Sequence, residues 1–329
     1  IDVMKNVSKL ALFVAAGMVS AGANAASFEV DESTTLTLGG KVVVIANDDE
    51  TGAGVSESEF TDDGSLVAIG GERDLGNGMT AYVEAEFDYN TLGEDGALGR
   101  DASVFGFTGD FGEIQVGASD NVFEDMIHDA TDRFEGGDID EVGITDESNM
   151  LTYYSPDANG FSFRLQTRVS DETNNDGGSS ELSLIAAAEY EVGNFALRAA
   201  YDDRGSVDAV PGNNNLFTAE DPVFGLATII GVSEVLELSA KYSQEQNNDG
   251  DDRDIFGVSA GYDYGAGEIY GGVASVSPDT GEDRTEFSVG INRDLADDFF
   301  IYAEYASYDQ ASDSTDTDSL IQVGLELAY

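Results

Sequence analysis

Apolar and polar side chains alternate one for one along much of this chain. Val83, Ala85, Phe87 and Tyr89 alternate with Glu84, Glu86 and Asp88, and Phe161, Phe163, Leu165 and Thr167 alternate with Ser162, Arg164, Gln166 and Arg168. The dyad recurs in Phe195, Leu197, Ala199 and Tyr201 against Arg198 and Asp202, and in Leu236, Leu238, Ala240 and Tyr242 against Glu237 and Lys241. It recurs again in Phe299, Ile301, Ala303 and Tyr305 against Tyr302 and Glu304. Successive side chains of a strand point to opposite faces, so each run predicts a strand with one apolar and one polar face. Downstream of residue 25 nothing reads as a long amphipathic helix. Nor is there a run of about 18 apolar residues that could cross a membrane as a helix.

The connections alternate too. Leu75 to Gly78, Asp110 to Gly112, Asp157 to Gly160, Gly193-Asn194 and Tyr264 to Gly267 are short and carry Gly or Asn, which tolerate the positive φ of tight hairpins. Between them lie longer polar stretches: Asn47 to Asp63, Asp171 to Ser179, Arg204 to Phe217, Gln246 to Asp252 and Gln310 to Asp318. Runs between these breaks give about sixteen strands joined by short and long loops in turn, as in an up-and-down barrel with one short-loop and one long-loop rim. A secreted soluble β-sandwich or adhesin shares the alternation, but has no reason to alternate loop lengths throughout. The apolar faces also end in aromatics (Phe87, Tyr89, Phe161, Tyr201, Tyr242, Phe299, Tyr305), as a girdle at a lipid interface would, although with no Trp it rests on Tyr and Phe alone.

Charge removes several functions. The chain has 66 Asp+Glu against 14 Lys+Arg, a net charge of -52 and a pI near 4.1. A basic surface for nucleic acid is excluded, because phosphate binding needs clustered Lys and Arg. With no Cys and one His, disulfides, thiolate nucleophiles and His-rich zinc sites are excluded as well. Disorder is not expected, since 41% of the residues are hydrophobic and 10% aromatic.

The amino terminus reads as an export signal. Lys5 and Lys9 flank the start of an apolar core, Leu10 to Ser20, and small residues end in Ala23-Asn24-Ala25. This is a signal-peptide layout with cleavage expected between Ala25 and Ala26, and the core is too short for a spanning helix of roughly 20 residues. Ile1 to Val3 read as an extension upstream of the start Met. Removing Asp2, Lys5 and Lys9 with the leader leaves 304 residues with 65 acidic and 12 basic side chains.

Five segments in order carry a family resemblance. They are Leu38-Gly39-Gly40-Lys41, Arg73 to Phe87 (RDLGNGMTAYVEAEF), Val104 to Gly117 (VFGFTGDFGEIQVG), Asn149 to Phe163 (NMLTYYSPDANGFSF) and the ending Val323 to Tyr329 (VGLELAY). The chain resembles the sixteen-stranded general-diffusion porins of Gram-negative outer membranes over the whole of residues 26–329. The resemblance implies a sixteen-stranded antiparallel transmembrane barrel whose third loop folds into the lumen. It also implies a homotrimer, and an assembly signal in Gly324, Leu327 and Tyr329 that barrel-insertion machinery reads; that signal usually ends in Phe.

Ala118 to Ser148 is the longest strandless stretch, and such stretches are uncommon unless functional. Its Phe134-Glu135-Gly136-Gly137-Asp138 resembles the family's Pro-Glu-Phe-Gly-Gly-Asp kink, with Pro replaced and Phe and Glu exchanged. The resemblance makes this stretch the constriction loop, with Glu124, Asp125, Asp129, Asp132, Glu135, Gly136, Gly137 and Asp138 as its lining. Asp120, Asp140, Glu141, Asp146 and Glu147 add to its charge, against Arg133 alone. In a narrow pore these acids would attract cations; otherwise they are a solvated run on an outside loop.

Lys41, Arg164, Arg168, Arg198, Lys241 and Arg284 fall on the polar strand face. Lipid-facing cations cost roughly 2 to 4 kcal/mol at the midplane, so stability alone predicts that placement. By resemblance they form a basic wall across from the acidic loop, joined by Arg100, which lies one residue off the family's basic position. Leu66 and Ala118 stand where the family commonly has Arg, which thins the wall and favours cations. Inward Tyr82, Tyr302 and Tyr308 could instead form a stacking track for oligosaccharides in a substrate-specific porin.

No HExxH, GxSxG or phosphate-cradling loop is present, so no enzyme is expected. Two loops imitate calcium sites (Glu245, Asn247, Asp249, Gly250; and Glu172, Asn174, Asp176, Gly177). Their twelfth positions, Phe256 and Ser183, lack the bidentate Glu, so no metal or cofactor is expected. His128 reads as a surface residue. The surplus acidity suggests a saline habitat, or divalent cations that bridge the loops to lipopolysaccharide. The expectation is an outer-membrane channel for small hydrophilic solutes, preferring cations.

Overall fold

The computed structural model describes residues 25–93, 98–137, 139, 149–168, 183–203, 222–246, 252–279, 281–309 and 317–329. The export signal, Asp138, Asp140, Glu141, Asp146, Glu147 and the centres of both calcium-like loops lie outside them.

The described strand segments are β1 (Ala26–Asp31), β2 (Thr34–Thr51), β3 (Ser56–Asp62), β4 (Leu66–Gly76), β5 (Met79–Asp88) and β6 (Ser103–Gly109). They continue with β7 (Gly112–Ala118), β8 (Met150–Tyr154), β9 (Phe161–Arg168), β10 (Ile185–Val192), β11 (Phe195–Asp202) and β12 (Val223–Ser233). The series ends with β13 (Leu236–Glu245), β14 (Arg253–Asp263), β15 (Glu268–Pro278), β16 (Arg284–Ala296), β17 (Phe299–Tyr308) and β18 (Thr317–Ala328). Every pairing between described strands is antiparallel.

Two staves are built from two segments each, so the eighteen segments make sixteen staves. Along one edge of β2, β4 pairs with its first half and β3 with its second. Along the other edge β18 pairs from Lys41 to Thr51, and β1 takes over from Leu38 to Thr34. The ring thus closes by joining the two ends of the described chain in one stave. Gly40 sits at the join, exchanging backbone hydrogen bonds with Tyr329 at 3.0 and 2.9 Å. A Cβ on Gly40 would lie 2.5 Å from the Leu66 carbonyl oxygen, which explains the small residue there. Closure also excludes the two-sheet sandwich, because the strands form one continuous ring.

The period-two reading holds on both faces. Val83 is 51% exposed, Leu226 53% and Ile321 54%, whereas Lys241 is 1% and Glu304 3% exposed. A soluble protein would bury the former and expose the latter; the inversion is that of a wall with lipid outside. Phe161, Tyr242 and Tyr305 of the expected girdle are exposed on that outer face.

The expected long loop from Asn47 to Asp63 is instead mostly strand. β2 and β3 form a hairpin that turns only at 52–55, with Asp48 accepting hydrogen bonds from the hydroxyls of Ser56 (2.9 Å) and Ser58 (3.0 Å). Above the lipid band both faces of a strand meet water, so its sequence loses the apolar and polar alternation that reveals it.

Candidate functional site

Between β7 and β8 the chain leaves the ladder. Asn121 starts the departure: its Oδ1 accepts the Phe123 N–H at 2.7 Å while its amide donates to Asp202 on β11 at 3.1 Å. Gln166 on β9 accepts the Val122 N–H at 3.1 Å and donates to the Asp120 carbonyl at 2.9 Å. A π-helical turn, Glu124–His128, follows. Val122, Phe123, Met126 and Ile127 are buried against Ala187, Ala200, Val223, Ala227 and Ile255, all on the polar face of their strands. Those strand positions are small for a reason: on Gly225, a Cβ would stand 2.6 Å from the Ile127 side chain.

The far end of the segment is held by different groups. Arg133 pairs with Glu237 and, at 3.1 Å, with Glu268. Phe134 packs on Tyr270, with ring centroids 5.6 Å apart. Glu304 on β17 then accepts three successive backbone N–H groups, from Glu135 at 2.9 Å and from Gly136 and Gly137 at 3.1 Å. Tyr270 donates its hydroxyl hydrogen to the same carboxylate at 2.7 Å, and Ser288 donates to the Gly137 carbonyl. A Cβ on Gly136 would fall 2.2 Å from the Gln322 amide, so the Gly-Gly pair lets the backbone approach the wall.

The loop acids divide by environment. Asp125 is ion-paired with Arg164 at 2.8 Å, while Asp120, Asp129, Asp132 and Glu135 keep exposed side chains. Partial burial raises Asp125 to about 6 against the opposing pull of Arg164. Burial, then the carboxylates of Asp125, Asp132 and Asp120, raises Asp129 to about 7. Glu135 also rises to about 7, by burial and then Glu326. His128, expected on the surface, is instead buried beside Lys241, and burial lowers it to about 3, which keeps it neutral. Its apolar neighbours on the turn drag it inward; a lone His in an acidic stretch gave no sign of that.

The predicted basic residues lie on the polar face, but most are matched by acids. Lys41 meets Glu326 at 3.5 Å, Arg198 meets Glu189 at 2.7 Å and Arg284 meets Glu286 at 3.0 Å. Lys241 and Arg168 are buried. Arg100 is exposed in the connection between β5 and β6, off the strands. Open spaces lie beside these groups. One of about 480 Å³ is lined by Asn47, Asp49, Asp63, Gly136, Glu286, Tyr308 and Gln322, and another of about 660 Å³ by Lys41, Asp62, Asp88 and Asp101.

The tyrosine track is open only in part. Tyr82, Tyr270 and Tyr302 each lie flat on the glycine directly across the ladder, Gly106, Gly290 and Gly324, where a Cβ would meet the ring at 2.1 to 2.4 Å. Tyr302 is 1% exposed; Tyr308 lines open space. Sequence reasoning missed the clamp of Glu304, Ser288 and Tyr270. Alternation places Glu304 on the inner face, but no local pattern links it to a loop some 170 residues earlier.

A family model described as Gram-negative porin matches residues 11–313. The major outer membrane protein of Halomonas elongata is 27% identical, covering 93% of this chain and 96% of that protein, and a monosaccharide porin of a Halomonas species matches to the same extent. Among solved structures, the anion-selective porin from Comamonas acidovorans superposes with a TM-score of 0.76 at 18% identity, covering 90% of this chain and all of that one. The trimer form of OmpT from Vibrio cholerae superposes with a TM-score of 0.68 at 14% identity, covering 91% of this chain and all of that one. At such identities the structures speak for the fold, a closed sixteen-stranded barrel, while the family model spans nearly all of the chain. On that match, the chain belongs to the Gram-negative porin family of the outer membrane.

Proposed function

We propose that this porin is a passive, cation-preferring diffusion channel whose narrowest point is formed by the segment from Ser119 to Gly137 lying across the lumen. The observation that carries this reading is an imbalance. The wall cations Lys41, Arg198 and Arg284 each have a carboxylate within 3.5 Å, whereas Asp129, Asp132 and Glu135 present exposed acids. A paired cation contributes little field at a distance, while unpaired acids concentrate counter-ions in a low-dielectric channel. Glu124, Asp125, Gly136 and Gly137 belong to the same lining, with Asp138 as its next residue. The test is the reversal potential of refolded protein in a planar bilayer under a KCl gradient. A cation-selective potential supports the reading; an anion-selective one would hand the field to the basic wall.

Further parts of the proposal rest on separate supports. A homotrimer is supported by the trimeric form among the structural neighbours. Cleavage after Ala25 is supported by β1 starting at Ala26. Gly324, Leu327 and Tyr329 serve as the assembly signal, a role that suits exposed Leu327 and Tyr329 on the closing stave. Contact with lipopolysaccharide through divalent cations follows from the acidic surplus. A saccharide-selective channel is the second reading, favoured by the cavity of about 480 Å³ with Asn47, Gln322 and Tyr308 on its wall and by the relative named a monosaccharide porin. Saturable current that sugars block would select it.

A further inference from the structure

The outer wall has a dip. Ile269 of β15, Ile291 of β16, Ala303 of β17 and Val323 of β18 stand in one cross-strand row, each paired with the next. Ala303 is the one small side chain of that row, so the surface sinks between Ile291 and Val323. One step toward the short-turn rim, Arg293 pairs with Ile301, and Tyr264 donates its hydroxyl hydrogen to the Asn292 carbonyl at 2.7 Å. These residues line a groove of about 460 Å³. That lies within the range of roughly 300 to 1,000 Å³ for small-ligand clefts.

Arg293 decides what the groove would take. It is exposed on the aliphatic face and forms no ion pair among the described residues. Of the other cations on described strands, only Arg73 also faces outward, and it acts electrostatically on Asp31. A guanidinium presents planar paired donors that match a phosphate, and basic pockets at membrane boundaries hold lipid headgroups. Tyr264 beside it is the aromatic type that favours that interface. The rim itself fixes the leaflet: short turns mark the periplasmic side.

We propose that this outer groove binds one glycerophospholipid of the periplasmic leaflet, with an acyl chain over Ala303 and its phosphate on Arg293. The test is native mass spectrometry of the detergent-solubilised protein incubated with phosphatidylglycerol, read beside single-channel conductance. The expected result is one retained lipid per protomer, reduced about fivefold by Arg293→Gln, the ratio of about 1 kcal/mol. Ala303→Phe should reduce it as well, and both variants should keep the wild-type conductance, since neither side chain faces the lumen. Equal retention by Arg293→Gln would mean that the groove takes any acyl chain or detergent, and would overturn the proposal. So would absence of lipid from the wild type, or loss of the trimer in Ala303→Phe without bound lipid, which would give the groove to a second copy. Should Ala303→Phe fail to fold, Arg293→Gln decides alone. Failure here leaves the channel reading intact, because that reading stands on conductance and reversal potential.

Discussion

Removing the Glu304 carboxylate should loosen the loop tip without unfolding the barrel. In Glu304→Ala the N–H groups of Glu135, Gly136 and Gly137 lose an acceptor now at 2.9 to 3.1 Å, and Tyr270 loses its partner at 2.7 Å. Once the tip detaches water reaches the freed groups, so each backbone bond is counted at its net worth of about 0.5 to 1.5 kcal/mol, or roughly 1.5 to 4.5 kcal/mol for the three. Each 1.4 kcal/mol is about tenfold in the ratio of detached to docked tip. Only the tip should move. The turn at Glu124–His128 keeps its apolar seat, and Arg133 keeps Glu237 and Glu268. The assay is single-channel conductance with the size limit for neutral sugars in liposome swelling. Glu304→Ala should give larger, noisier steps and a higher size limit, with unchanged heat-modifiable gel migration. Glu304→Gln removes the same charge but keeps an acceptor oxygen, so its steps should fall between. Identical conductance and size limit in Glu304→Ala and wild type would refute the constriction reading, because the tip would then not border the pore.

Further outcomes are expected. With Asp125 raised to about 6 and Asp129 and Glu135 to about 7, the cation preference should fall as pH drops from 8 to 5, and Asp129→Asn with Glu135→Gln should flatten that titration of reversal potential. Between about pH 4 and 7 these folded carboxyls bind protons that the unfolded chain releases. Their contribution to stability therefore declines as pH rises, and the thermal midpoint should be higher at pH 5.5 than at pH 8. Gly324→Ala puts a Cβ 2.1 Å from the Tyr302 ring and breaks the bond of 2.8 Å from Gln322 to Tyr302; the overpacking should cost about 1 to 3 kcal/mol and lower the gel-shift temperature. Ile127→Ala opens a cavity under the π-helical turn worth about 2 to 5 kcal/mol, which should free the segment for limited proteolysis while the strands stay protected.

The wall was legible in the sequence and the clamp was not. A strand in lipid writes its two environments into every second residue, so Val83 against Glu84 or Leu238 against Lys241 reveals both strand and facing. The short turns were legible because Asn77, Asn159 and Gly193 sit at positive φ, which few residues tolerate. Where both faces meet water, as in β3, the signal vanished and the strand passed for a loop. The seat of the segment between β7 and β8 was hidden differently. Its partners, Ala200, Gly225, Ser288 and Glu304, are small or polar residues whose size and charge acquire meaning only once the barrel has closed and brought them opposite a distant loop.

Closure also bears on where the pore's field comes from. Away from the rims, strand cations are forced inward by the cost of lipid exposure whether or not they touch a solute, and once inward they meet a wall already rich in carboxylates. Arg198 beside Glu189 and Arg284 beside Glu286 are cross-strand or near-neighbour pairs of that wall, so each cation is spent on an acid of the same surface. An acid on the loop has no such neighbour unless the loop touches a cation, as Asp125 touches Arg164. Asp129, Asp132 and Glu135 therefore face the water of the channel without an ion-pair partner among the described residues, and Asp129 and Glu135, both raised to about 7, carry full charge only above that pH. At 0.15 M salt a charge acts over about 8 Å, and at 1 M over about 3 Å. A field set by exposed loop acids must accordingly weaken with salt: the cation preference should be strong in dilute KCl and shrink toward the ratio of free mobilities at 1 M. A preference that is independent of salt would point to tightly held ions instead.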